Sequence, residues 1–207
     1  MNKILFNKKL IIGILIFTPV FMILLVILFR NSINPSNESI INELKNTKFY
    51  SSKVNYVFKN SKSQFEENTI QYYGFDKGAR IEFKDGYERI KVYKGGEIKV
   101  KENSDEEYIL NKDIDTIYPL AFIENILSNL ENAKIKEVKT EWSDSIYLQV
   151  DITYNSNNKH LNKAEFFVDK NKGVPVILKI LDDNNKERII ITYKDFKKEK
   201  SLSDHLF

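Results

Sequence analysis

Few residues of this chain have the types and spacing that catalysis requires. The sequence contains no cysteine, which excludes disulfides, thiolate metal sites and a thiol nucleophile. Its two histidines, His160 and His205, belong to no H-E-x-x-H motif or other metal-binding spacing. No serine lies in a G-x-S-x-G motif, and there is no phosphate-binding loop or dinucleotide fingerprint. We therefore expect a protein that is not an enzyme, with no catalytic residue, metal or other cofactor.

Acidic side chains are frequent, but they form no paired general acid and base. Residues 169–173 (DKNKG) weakly resemble a calcium loop, yet they lack the later ligands and the terminal glutamate, so we expect a hairpin turn there. The acidic pair at residues 66–67 and the acidic run of three at residues 105–107 are expected to be solvated loops. Nothing beside them would separate two carboxylate pKa values, as acid–base catalysis requires.

Aromatic residues make up 13% of the chain, and two roles fit them. They can line an apolar cavity for a lipid or a partner, or they can fill the core of a half-buried sheet. Trp142 differs from the others because it lies in a polar, turn-like stretch, residues 140–144 (TEWSD). An exposed indole there would suit a protein–protein contact. Trp142 is the candidate partner-binding residue.

The charge of the chain is unevenly distributed. The formal net charge is +3, but residues 1–30 hold four basic residues and no acidic one, which leaves 28 basic and 29 acidic residues in the rest. A nearly neutral remainder with interspersed signs excludes the basic surface that nucleic acids require. The hydrophobic fraction of 42% is sufficient for a packed core.

The N-terminal part has the features of a membrane anchor. Residues 10–29 are uncharged, and twenty residues in a helix span the roughly 30 Å hydrocarbon core. Lys3, Lys8 and Lys9 precede this stretch and only Arg30 follows it, which predicts a cytoplasmic N-terminus. A cleaved signal peptide would have a shorter apolar core and small residues at the cleavage site. The predicted organisation is a cytoplasmic basic segment (1–9), a transmembrane signal anchor (10–29), a linker (30–37) and an extracytoplasmic domain (38–207).

The remaining sequence reads mostly as β-strands. From Ser52 onward apolar and polar residues alternate, and Asp85-Gly86 and Gly95-Gly96 are typical hairpin turns. Helical patterns are confined to residues 36–46 and to Pro119–Leu130. The predicted fold is α+β: a curled antiparallel sheet of about ten strands whose apolar concave face is covered by helices.

The order and the amino-acid sequences of these segments resemble those of the periplasmic lipoprotein-carrier fold of the LolA type, a half-barrel closed by helices. More narrowly, residues 36–207 resemble the GerS-type spore germination proteins of clostridia. The segments that carry the resemblance are 44–51 (LKNTKFYS), 71–75 (QYYGF), 79–83 (ARIEF), 93–98 (YKGGEI), 118–122 (YPLAF), 164–169 (AEFFVD), 173–175 (GVP) and 191–196 (ITYKDF).

The resemblance implies a non-catalytic role. GerS-type proteins bind an N-acetylmuramoyl-L-alanine amidase that modifies the spore cortex, and they enable its activity. The LolA fold alone implies a different function, a carrier or sensor that binds an acyl chain or a lipoprotein. The family usually attaches to the membrane through a lipidated cysteine, so a chain without cysteine is expected to use its transmembrane helix instead.

Overall fold

The computed structural model of the chain describes residues 17–25, 35–60, 62–86, 88–103, 106–154 and 161–207. The chain divides into two compact units, residues 1–39 and residues 40–207. In the first unit, residues 17–25 form a helix (α1). No helix within the described ranges combines the length and hydropathy needed to cross a membrane. Apart from residues 17–25, the predicted anchor lies outside the described residues.

The predicted helix near Ser36 is confirmed. Helix α2 spans Asn37–Lys45, and the Ser36 Oγ accepts a hydrogen bond from the Ser39 N–H at 3.1 Å. This N-cap satisfies a backbone donor that the first helical turn leaves unpaired. Three residues of α2 are buried at helical spacing: Ile40, Ile41 and Leu44.

One open, antiparallel sheet makes up most of the second unit. It contains eleven strands, which confirms the antiparallel prediction and exceeds the predicted number by one. The strands are β1 Phe49–Lys59, β2 Gln64–Gly74, β3 Gly78–Phe83, β4 Arg89–Lys94, β5 Glu97–Glu102, β6 Glu106–Asn111, β7 Lys134–Thr140, β8 Ser143–Thr153, β9 Lys163–Asp169, β10 Val174–Leu181 and β11 Glu187–Lys198.

The strand order places two consecutive strands at opposite edges of the sheet. The order is β6-β5-β4-β3-β2-β1-β11-β10-β9-β8-β7. Every neighbouring pair is consecutive in sequence except β1 and β11, which join the two halves of the sheet through an antiparallel ladder. The chain must therefore pass from one edge to the other between β6 and β7. We call this connection, residues 112–133, the crossover.

The crossover is not the regular helix that the sequence predicts over Pro119–Leu130. It consists of short pieces, and the extended residue Phe122 (φ −76°, ψ 133°) interrupts the helical path. The reason is tertiary, because the crossover must follow the sheet surface and its backbone is held by side chains from the strands. The pieces are 3-10 turns at Lys112–Ile114, Tyr118–Ala121 and Leu127–Asn132, and the four-residue helix α3 at Ile123–Ile126.

The two faces of the sheet differ in burial. The face that contacts the crossover, called the inner face below, carries Tyr50, Val54 and Tyr56 of β1, each at most 1% exposed. Residues of the crossover are equally buried, among them Phe122 and Ile126. Much of the inner face of the described sheet is therefore covered by the crossover. The buried residues of both, with Ile40, Ile41 and Leu44 of α2, form the core.

Two of the predicted loops are wrong. Glu66 and Glu67 lie in β2, where they pair with Val57 and Tyr56 of β1. Glu106 and Glu107 begin β6, opposite Glu102 and Lys101, whereas Asp105 lies outside the described residues. In both cases the hairpin ladder continues beyond the apolar stretch, because backbone hydrogen bonds extend a strand whatever the side chains.

Candidate partner-binding site

Strand β6 forms one edge of the sheet and pairs only with β5 within the described sheet. The Lys112 N–H donates to the Gly96 carbonyl at 3.2 Å, and this pair continues the β5–β6 register. Backbone groups in an antiparallel ladder alternate between the two sides of a strand. The groups of Tyr108 and Leu110 therefore face β5, and those of Glu107, Ile109 and Asn111 face away from it.

Large apolar side chains are exposed along this edge. The exposed fractions are 40% for Tyr108, 64% for Ile109 and 69% for Ile114, which lies just after the strand. Tyr108 shares the inner face with its cross-strand partner Val100, while Ile109 is on the outer face. We call β6 together with Ile114 the β6 edge.

The opposite edge has a different composition. Strand β7 reads KIKEVKT, and its lysines and its glutamate are exposed. Charged residues, lysine above all, protect an edge strand from pairing with another chain. The middle of β6 has no such protection, because Tyr108, Ile109 and Leu110 follow one another there. Of these two edges, β6 is therefore the better template for binding another protein.

One end of the β6 edge is acidic. Glu106 lies directly opposite Glu102 in the ladder, and Glu102 lies opposite Arg89 of β4. The Arg89 guanidinium donates to Glu67 at 3.3 Å, so it is already engaged by a carboxylate other than Glu102 and Glu106. Partial desolvation and the Glu102 carboxylate raise the pKa of the Tyr108 hydroxyl. Like charges directly opposite each other destabilise a sheet, so an added cation would be favourable here.

The inner face next to this edge is filled by paired side chains. The Asp115 carboxylate accepts from the Lys91 ammonium at 2.5 Å and from the Tyr93 hydroxyl at 2.8 Å. The Tyr118 hydroxyl donates to Glu67, and the Lys91 Nζ lies 4.7 Å from the centre of the Tyr118 ring. These contacts bind the crossover to β2 and β4 and leave their charges compensated.

Glu124 is a titratable group that the sequence analysis missed. Its Oε2 accepts from the buried Tyr50 hydroxyl at 3.3 Å. Burial raises the pKa of the Glu124 carboxyl to about 7, although hydrogen bonds from its own backbone and from Tyr50 act in the opposite direction. The only sequence signal is a single acid within the mostly apolar stretch of residues 119–127 (PLAFIENIL).

Trp142 lies in the two-residue turn between β7 and β8. It is 49% exposed, and its ring centre is 4.5 Å from that of Tyr147 and 6.4 Å from that of Phe167. Strands β7 and β6 are at opposite ends of the strand order. The structure therefore places Trp142 and the β6 edge on different edges of the sheet.

The other residues singled out in the sequence form no site. His205 lies in an exposed 3-10 turn, Asp204–Leu206, and His160 lies outside the described residues. The Asp169 Oδ1 accepts from the Asn171 and Lys172 amides, each at 2.9 Å, which is the expected hairpin turn. Within the described residues, no group of histidine, aspartate and glutamate side chains is arranged to hold a metal ion.

Solved structures share this fold. An uncharacterized conserved protein from Thermus thermophilus matches with 13% identity and a TM-score of 0.54, covering 82% of this chain and 91% of that one. A chain in the structure of the CwlD amidase from Clostridioides difficile in complex with the GerS lipoprotein matches with 24% identity and a TM-score of 0.49, covering 76% and 91%. A LolA superfamily protein from Nitrosomonas europaea matches with 11% identity and a TM-score of 0.44, covering 83% and 97%.

Sequence comparison identifies the family. No curated protein sequence matches this chain significantly. The family described as "Sporulation protein YdcC-like" matches residues 7–207, which include the whole described sheet and the crossover. The chain is therefore a member of the YdcC-like sporulation protein family.

Proposed function

We propose that this chain is a non-catalytic accessory protein of sporulation that binds an N-acetylmuramoyl-L-alanine amidase and enables its action on the spore cortex. The choice of an amidase as the partner rests on the resemblance of residues 36–207 to GerS-type proteins. The role in sporulation rests on membership of the YdcC-like family. An accessory protein needs a binding surface and no reaction centre of its own, which fits the absence of a catalytic motif in the sequence.

The observation that carries this proposal is the β6 edge. It combines backbone groups that no strand of the described sheet pairs with exposed apolar side chains, whereas the opposite edge is protected by lysines. Monomeric proteins seldom leave such an edge uncovered, because it invites pairing with other chains. A stable protein partner is the simplest occupant of this surface.

The state of the inner face favours an accessory protein over an acyl-chain carrier. A carrier needs an apolar cavity of a few hundred cubic ångströms. Here the crossover occupies the inner face: the Tyr56 hydroxyl donates to the Tyr118 carbonyl at 3.2 Å, and the Tyr193 hydroxyl donates to the Ala121 carbonyl at 2.7 Å. A lipid would have to displace these contacts before it entered.

We also propose that residues 10–29, which carry no charge, anchor the chain in a membrane with residues 31–207 outside the cytoplasm. Membrane attachment would hold the chain beside the cell-wall layer in which the amidase acts. Extraction of sporulating-cell membranes tests this. The chain should stay with the membrane in alkaline carbonate and be released by detergent, and its appearance in the carbonate supernatant would contradict the anchor.

Binding to the amidase is tested with the full chain, purified in detergent, and the purified sporulation amidase of the same organism. We expect a stable complex and higher amidase activity on peptidoglycan in its presence. Replacement of Ile109 and Ile114 by lysine should weaken both effects at least tenfold, because it removes apolar contact area and places charge in the interface.

The matched control is Phe75→Lys. Phe75 is 73% exposed in the turn between β2 and β3, so this variant changes an equally apolar surface residue away from the β6 edge and should bind normally. Trp142→Ala tests the second candidate surface, and weaker binding by this variant alone would move the interface to the β7–β8 turn. No binding or activation by the wild-type chain would refute the proposed function.

A further inference from the structure

On the side away from β5, the backbone of the β6 edge pairs with no other strand among the residues that the structure describes. Glu107, Ile109 and Asn111 each direct an N–H and a carbonyl away from β5, as the register of the β5–β6 ladder requires. These groups recur every second residue, about 6.8 Å apart, which is the repeat that another antiparallel strand presents. An extended segment of a partner can therefore pair here without any rearrangement of the sheet.

The side chains of the edge restrict the chemistry of that segment. At the start of β6, Glu102 and Glu106 face each other on the inner face, and the nearest guanidinium, Arg89, is already bonded to Glu67. A lysine or arginine beside this end would relieve the repulsion. Toward the middle of the strand, Tyr108 and Ile109 offer apolar contact on the two faces, so aliphatic or aromatic partners fit there.

We infer that the β6 edge binds its partner by strand addition, accepting an extended segment that carries a lysine or arginine next to aliphatic or aromatic residues. Such a segment would add a twelfth strand to the eleven of the described sheet. Backbone hydrogen bonds would supply affinity and the acidic end would select the basic residue. The inference rests on the proposed function for the identity of the partner, which is the amidase.

The backbone contribution is tested with a pair of variants at one position. Ile109→Pro removes an outward N–H without removing any hydrogen bond to β5, and edge strands tolerate proline at such positions. Ile109→Ala removes the side chain and keeps the N–H. If a strand is added, Ile109→Pro should weaken amidase binding about tenfold more than Ile109→Ala does, since it leaves a partner carbonyl unpaired in the interface.

The charge contribution is tested with Glu106→Lys, which should weaken binding at low salt and reduce its salt dependence. Lys139→Glu on strand β7 is the matched control, because it reverses an exposed charge on the other edge. Thermal unfolding of each variant, compared with the wild-type chain, separates loss of binding from loss of folding.

Hydrogen–deuterium exchange of the full chain, alone and with the amidase, reports on the same edge directly. We expect the amides of Glu107, Ile109 and Asn111 to exchange fast in the free chain and to become protected in the complex. A complex in which these amides remain fast, or in which Ile109→Pro binds like Ile109→Ala, would overturn strand addition and leave the proposed function intact. Protection that depends on the concentration of the chain alone would assign the edge to a second copy and would also overturn it. Failure of the wild-type chain to bind the amidase would refute both proposals.

Discussion

The hydroxyl of Tyr50 joins β1 to the crossover, because it donates to Glu124 Oε2 at 3.3 Å and accepts from the Ile123 N–H at 3.0 Å. Tyr56 and Tyr193 act in the same way on carbonyl groups of the crossover. Tyrosine hydroxyls from neighbouring strands thus satisfy backbone groups that a regular helix would have satisfied internally. The crossover depends on the sheet for its conformation, and its stability responds to single side chains.

Replacement of Glu124 by glutamine should change the pH dependence of stability. Burial raises the pKa of Glu124 to about 7, above the value of an unfolded chain, so the native state retains a proton that the unfolded state has released. The free energy of unfolding therefore falls as the pH rises from about 4.5 to about 7, by at most about 3 kcal/mol. Above that range Glu124 contributes no further loss.

Glu124→Gln has no proton to lose, so the wild-type chain should lose more stability than the variant between pH 5 and pH 8. Urea unfolding of both proteins at the two pH values measures this difference, and the comparison cancels the contributions of all other titrating groups. Equal losses in the two proteins would contradict a raised pKa at Glu124.

Replacement of Tyr193 by phenylalanine should destabilise the chain by about 1–3 kcal/mol, because the buried Ala121 carbonyl loses its donor. The hydroxyl and the carbonyl are 2.7 Å apart, and both residues are at most 5% exposed. Chemical denaturation measures the effect. Tyr72→Phe is the control, since Tyr72 is partly exposed on the other face of the sheet, and it should change stability by less than about 0.5 kcal/mol.

Breaking the ion pair between Lys91 and Asp115 should cost roughly 3 kcal/mol. The two side chains are only 13% and 8% exposed, so Lys91→Met leaves the Asp115 carboxylate largely desolvated and without a cation. Its remaining partners are the neutral Tyr93 hydroxyl and the Tyr118 N–H. A double-mutant cycle with Asp115→Asn measures the coupling. The double variant should be more stable than the sum of the single losses implies, and additive losses would show that the pair does not interact.

Two glycines in turn regions should respond differently to alanine. Gly78 has φ +103°, and a Cβ there would lie 2.4 Å from the Tyr93 carbonyl oxygen, whereas Gly86 has φ +76° and open space around it. Gly86→Ala should cost about 1–2 kcal/mol for the left-handed conformation alone. Gly78→Ala should cost clearly more, since β3 and β4 must also move apart. Thermal unfolding ranks the two variants, and equal melting temperatures would contradict the steric argument.

Much of the fold was predictable from local patterns. Three local features occur as predicted: the alternation around Val54 and Tyr56, the Gly95-Gly96 turn and the Ser36 cap. Each depends only on the conformational preferences of neighbouring residues. The prediction for Pro119–Leu130 was correct in part: the segment is helical except at Phe122, but it is broken into 3-10 and α-helical pieces and is not one regular helix. The pairing of Glu67 with Arg89 and Tyr118 was not predictable, since these residues are far apart in the sequence.

The amino-acid sequence by itself determined which segments extend, where they turn, and that the charges of residues 1–30 differ from those of the rest. These properties depend on neighbours a few residues away, which is the range that periodicity and turn residues report. Only the tertiary structure decided that β6 is an edge, that Ile109 faces outward from it, and that Glu124 is partly buried beside Tyr50. Each of these depends on the order in which distant strands pair and on the path the crossover takes between them, and no local pattern contains that information.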